Sequence, residues 1–129
     1  MSDHFAMSIT VVEESKLLFV NVRGSYSSRE YFDEVVRLYQ TIKEPWLYNR
    51  LVDLRKGTGY LEFDDILAYA NWWNDLTRDV GYSARVAVVH PDPISANRAV
   101  LAGQYFPKEV YAGFTDMDDA LDWLKDNAA

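Results

Sequence analysis

Two short runs of alternating hydrophobicity, residues 8–12 and 17–22, open the chain with only the charged stretch Glu13-Glu14-Ser15-Lys16 between them. A connection that short forces the two strands to pair antiparallel. From there to the C-terminus, segments of helical and strand periodicity alternate. The pattern therefore predicts an α/β chain in β-β-α-β-α-β-α-β-α order. Its sheet is a single mixed layer of five strands, in which each later strand-helix-strand step is a right-handed crossover between parallel neighbours. Residues 1–7 read as a flexible tail and 8–129 as one domain.

The helices carry their own signals. Ser27, with Glu30 three positions on, forms a capping box, and Tyr26 and Tyr31 stand at staple positions. Phe32, Val35, Val36, Tyr39 and Ile42 then recur at helical spacing, and Pro45 is expected to end that helix. A second helix is expected over 62–79. Its apolar face is Phe63, Ile66, Leu67, Ala70 and Trp73, widened by Tyr69, Trp72 and Leu76, with Gly81 as the residue that ends it. Asp92 and Pro93 mark the cap and first turn of a third helix. Strands are expected at 50–55, 84–90 and 109–114, with Gly24 ending the second strand and Arg55, Lys56, Gly57, Thr58 and Gly59 forming a loop after the third. A last helix carries Met117, Ala120, Leu121 and Leu124.

Composition narrows the function. Net charge is −7, from 20 acidic against 13 basic residues, so a phosphate backbone or an anionic membrane surface is repelled and neither is an expected partner. Cysteine is absent, which removes disulfides, thiol catalysis and thiolate metal sites. The opening MSDHFAMS has neither a basic nor an apolar segment of the secretory kind, and no apolar run has membrane-spanning length. A cytoplasmic location is expected. The four Trp, nine Tyr and six Phe are the richer signal, suited to an interface or an apolar pocket.

The strand end Leu51-Val52-Asp53-Leu54-Arg55, the strand from Arg85 to His90, and Phe114-Thr115-Asp116 followed by Ala120-Leu121-Asp122-Trp123-Leu124 resemble the STAS domains (sulfate transporter and anti-sigma factor antagonist). More closely, the chain resembles the SpoIIAA-like, STAS/SEC14-type single-domain bacterial proteins along nearly its whole length. The resemblance implies a small binding or regulatory module that takes a protein partner or an apolar ligand. In the anti-sigma-antagonist branch it also implies a phosphorylatable hydroxyl after the third strand. Thr58 is the only hydroxyl in the corresponding stretch, where two basic residues replace the acidic and serine context, so a phospho-switch at Thr58 stands as an alternative.

Each chemical motif has a plainer reading beside it. Lys56-Gly57-Thr58-Gly59 could cradle an anion, but Glu62, Asp64 and Asp65 already answer the dipole of the helix that follows, and the spacing fits no phosphate-binding fingerprint. Acids at the other helix starts weigh equally against a nucleotide, and no cofactor is expected. His90 with Asp92 and Ser95 lies within one turn, too local for a hydrolytic triad, so a small hydrolase or isomerase using His90 and Asp92 is kept only as an alternative. His4 lies in the tail, and adjacent aspartates diverge on a helix, so no metal site is expected. Asp53 interrupts an apolar strand and needs a cationic or amide partner. The binding or regulatory candidates are Arg55, Lys56, Gly57, Thr58, Gly59 and His90. Tyr69, Trp72, Trp73 and Leu76 are expected to line a pocket or a homodimer interface.

Overall fold

The computed structural model describes residues 4–125. Strands β1 (Ala6–Val12), β2 (Leu17–Tyr26), β3 (Asn49–Gly59), β4 (Ala84–Val89) and β5 (Glu109–Phe114) form one sheet in the order β1-β2-β3-β4-β5. The first pair is antiparallel and the rest are parallel. Helices α1 (Ser28–Tyr39), α2 (Phe63–Leu76), α3 (Pro93–Leu101) and α4 (Met117–Lys125) follow β2, β3, β4 and β5. The expected α/β class and element order hold. Among the described residues no helix is long and apolar enough to cross a membrane.

Sequential strand order decides where the helices go. Each parallel crossover steps one strand in the same direction, and right-handedness then puts α1, α2 and α3 on one face. That inner face carries Leu18, Val20 and Val22 of β2, Leu54 of β3, and Val86 and Val88 of β4, packed under Tyr31, Phe32, Val35, Tyr39, Ala70 and Trp73. Among the described residues only α4 covers the other face, laying Ala120 and Leu124 over Leu51, Ala87 and Val89. Because the order never reverses, the sheet has no topological switch point of the kind that opens a crevice in other open α/β sheets.

Several boundaries differ from the sequence expectation, each for a physical reason. β1 begins at Ala6, and His4 bridges to Ser25, so residues 4–7 join the sheet instead of forming a loose tail; residues 1–3 lie outside the described residues. Gly24 does not end β2. It sits inside the strand at φ +84, where a Cβ would lie 2.0 Å from the carbonyl oxygen of His4. Residues 55–59 are not a loop either: Lys56, Gly57, Thr58 and Gly59 continue β3, pairing with Arg23, Gly24, Ser25 and Tyr26 after a bulge between Asp53 and Lys56. α1 stops at Tyr39, well before Pro45, which instead opens a 3-10 turn over Pro45–Leu47. α2 ends at Leu76 and is capped by Thr77, whose hydroxyl donates back to the Trp73 carbonyl at 2.9 Å; Gly81 plays no part. The caps expected at Ser27–Glu30 and Asp92 are present.

One polar network lies inside this core. Arg50 of β3 and Glu109 of β5 form an ion pair with side chains 1% and 0% exposed. Tyr82 donates to the other Glu109 oxygen at 2.8 Å, and the Trp73 indole donates to the Tyr82 hydroxyl at 2.8 Å. The guanidinium carbon stands 4.7 Å from the Trp73 ring centroid. Burial alone would discharge Arg50, but the Glu109 carboxylate holds it protonated, well above its ordinary range.

Glu109→Ala leaves that charge buried and unmatched, and is expected to cost about 3–5 kcal/mol of stability in urea unfolding. Replacing both partners, as Arg50→Met with Glu109→Leu, should cost less than the two single changes added together. Strict additivity would mean that the pair is not coupled. For Gly24→Ala, strain and collision with His4 predict a loss above about 1 kcal/mol. Gly81→Ala, where a new Cβ meets nothing within 4 Å, should stay within about 0.5 kcal/mol of the parent. Thermal melts of the two variants side by side test the contrast.

Candidate functional site

The inner face is not completely filled. Between α1 and α2 on one side and α3 on the other lies a cavity of about 190 Å³. Its floor follows from the register of the sheet. Val20, Val52 and Val88 lie in one row across β2, β3 and β4, and Arg50, Val86 and Tyr111 in the row beside it. The walls are aromatic: Tyr31, Phe32 and Tyr39 from α1, Tyr69 from α2, and Phe106. On the α3 side the lining is Ser95, Arg98, Ala99 and Ala102, and the two alanines are too small to close the gap.

Depth can be read from exposure. Val86, Arg50 and Tyr39 are buried, whereas Tyr60 is 59% exposed and marks the mouth. There the Arg98 guanidinium carbon lies 4.4 Å from the Tyr60 ring centroid. His90 also lines the cavity and is half-buried.

Two glycines shape one wall. The Tyr26 ring lies across the end of β3, and a Cβ on Gly57 would stand 3.2 Å from it, one on Gly59 only 2.3 Å. Glycine at these positions lets Tyr26 lie close over the strand, and Tyr26 packs in turn at a tilt against Tyr31, 5.3 Å between centroids. Gly113 does similar work on β5, where any side chain would meet the Ala96 backbone of α3 at 2.7 Å.

Of the expected site residues, the structure brings Gly59, Tyr69 and His90 to the cavity. Arg55 is occupied elsewhere: its guanidinium holds both Asp53 carboxylate oxygens at 2.9 Å. Burial pushes the Asp53 carboxyl up, but the Arg55 contacts outweigh that and keep it below the usual carboxylate range. Lys56 and Thr58 are exposed on the last part of β3. Trp73 is fully buried beneath Arg50, Trp72 is half-buried and Leu76 is exposed.

His90 and Asp92 do not form a dyad through their side chains. His90 Nδ1 accepts the Asp92 backbone N–H at 3.0 Å, which occupies that lone pair. The Asp92 carboxylate accepts from Ile94 N at 3.2 Å and the Ser95 hydroxyl at 3.0 Å, capping α3. These contacts, the Ser95 hydroxyl foremost, hold its carboxyl below the ordinary value. Among the described residues no three of His, Asp and Glu gather around one point suited to a metal ion.

Sequence reasoning missed the residue at the inner end of the cavity, Arg50. Its Nη2 donates to Glu109, while its Nη1 is buried without a hydrogen-bond partner. The Tyr39, Tyr69 and Tyr111 side chains surround it, and burial pushes all three phenols above their ordinary range, so they stay neutral. One signal was available. Arg50, Val52 and Leu54 alternate on a strand, so a charged residue shares the register of core positions.

No family model matches the chain, and no curated protein matches it. Among solved structures, an uncharacterized protein of the DUF3478 family from Shewanella loihica PV-4, described as having a SpoIIAA-like fold, is similar over 96% of this chain and 98% of its own. The TM-score is 0.62 and the sequence identity 21%. At that identity the likeness speaks to architecture, and it agrees with the strand order, the crossovers and the resemblance carried by residues 51–55 and 114–124. The chain has a SpoIIAA-like fold.

Proposed function

We infer that this protein is a non-catalytic, cytoplasmic binding module whose ligand is a small apolar molecule held in the cavity between the sheet and helices α1, α2 and α3. The observation that carries this reading is the cavity itself: aromatic walls, a valine floor and a mouth at Tyr60 and Arg98. Small-molecule sites are concave, largely apolar and furnished with few polar groups, and this one has that character. Its volume of about 190 Å³ exceeds the roughly 150 Å³ that accommodates a benzene ring. A one-ring ligand fits that scale.

The catalytic alternative at His90 and Asp92 loses support because both groups are engaged in local bonds. A homodimer through α2 would rest on Leu76 and the accessible edge of Trp72, since Tyr69 and Trp73 face inward.

A thermal-shift screen of one-ring aromatic and alicyclic compounds tests the ligand reading. A ligand at about 100 times its Kd adds about 2.7 kcal/mol to stability, enough to raise Tm by several degrees. Ala99→Phe, which fills the cavity from α3, should abolish the shift while leaving the protein folded. A shift that survives Ala99→Phe would put the ligand elsewhere. A flat screen would leave protein partners as the reading.

A further inference from the structure

We propose that the inner end of the cavity is an anchoring subsite for an uncharged hydrogen-bond acceptor, such as a carbonyl oxygen on a one-ring ligand, which Arg50 Nη1 holds by donation. The proposal rests on the reading of the cavity as a ligand site and adds which ligand chemistry it selects.

A guanidinium presents five N–H donors, and buried donors in folded proteins are almost always satisfied. In Arg50 the Nη2 side is spent on Glu109, but Nη1 has no partner although the side chain is only 1% exposed. The Tyr111 hydroxyl interacts with the Arg50 side chain, but no hydrogen bond of normal geometry reaches Nη1. A donor this deep, on a residue that lines the cavity, points to an acceptor supplied from outside the chain.

Charge then decides which acceptor. Glu109 already balances Arg50, so the inner end is neutral as it stands. A ligand carboxylate would bring a second negative charge into a space shielded from water, where uncompensated charge is expensive. A ketone, aldehyde or ether oxygen satisfies Nη1 without disturbing that balance. Size sets the rest: a volume of about 190 Å³ holds a single ring with a short substituent, and the Tyr and Phe walls favour a flat one.

Three molecules of closely matched shape separate these terms: acetophenone, cumene and benzoate. Each is titrated into the full-length protein at neutral pH, with backbone amide NMR shifts at Val52, Val86, Val88 and Tyr111 as the readout. Acetophenone is expected to bind about ten- to hundredfold more tightly than cumene, the range of a hydrogen bond to a charged donor. Benzoate should bind more weakly than acetophenone despite its two acceptor oxygens. If cumene matched acetophenone, the cavity would stand as an apolar site and the Arg50 anchor would be overturned. Benzoate binding tightest would overturn the requirement for a neutral acceptor. Should none of the three move those amides, the cavity is not a ligand site, and the anchor falls with it.

Discussion

The ion pair between Arg50 and Glu109 governs how the inner face of this sheet can be built. It joins β3 to β5 across β4, between residues 59 positions apart in sequence. A paired buried charge adds little net stability, yet its loss on one side is severe. Packing around it is therefore constrained in a way that a valine or leucine would not impose. Trp73 must lie against the guanidinium, and its indole N–H must find Tyr82, which in turn must reach Glu109. Tyr82 shows the cost of that position: burial and the adjacent carboxylate push its phenol up to about 12. The chain of donors fixes the inward end of α2 and the segment leading into β4 together.

Topology supplies the second constraint. Strand order without a reversal gathers three crossover helices on one side and leaves no topological switch point, the feature that opens a crevice in other open α/β sheets. Space for a ligand then has to come from imperfect filling between helices. Here it comes from Ala99 and Ala102 on the α3 side, opposite the larger rings of α1 and α2. Glycines at 57 and 59 admit Tyr26, and Gly113 admits α3. Small residues thus set the cavity's outline, while aromatic ones set its surface.

How much of this was legible in the sequence depends on range. Local chemistry could be read: the Ser27–Glu30 box, the Asp92 cap and the antiparallel β1–β2 pairing each involve residues close in the chain. Gly24 and the glycines of 57 and 59 misled because glycine signals a turn by its own preferences. Here it answers a neighbour instead, the His4 carbonyl or the Tyr26 ring. Pro45 signals the end of α1 by its own preferences, but the helix stops earlier and proline begins a new turn. Arg50 carries little local signal because its partner is distant and it stands at the first position of the expected strand, just before the apolar run. No local pattern announces Glu109, which looks like any charged residue starting a strand.

The aromatic excess takes its meaning from the same network. Phenylalanine would serve as well as tyrosine for apolar area, but Tyr39, Tyr69 and Tyr111 lie around the guanidinium, where a hydroxyl can meet a charged donor or a bound oxygen. Burial keeps those phenols protonated, so the inner end holds one positive and one negative charge and several neutral dipoles. The net charge of −7 is carried mostly by exposed side chains, which the surrounding salt solution screens. Selection at such a site comes from shape and from where one oxygen sits, which is why a single unpartnered nitrogen on Arg50 matters more than the acidic surface around it.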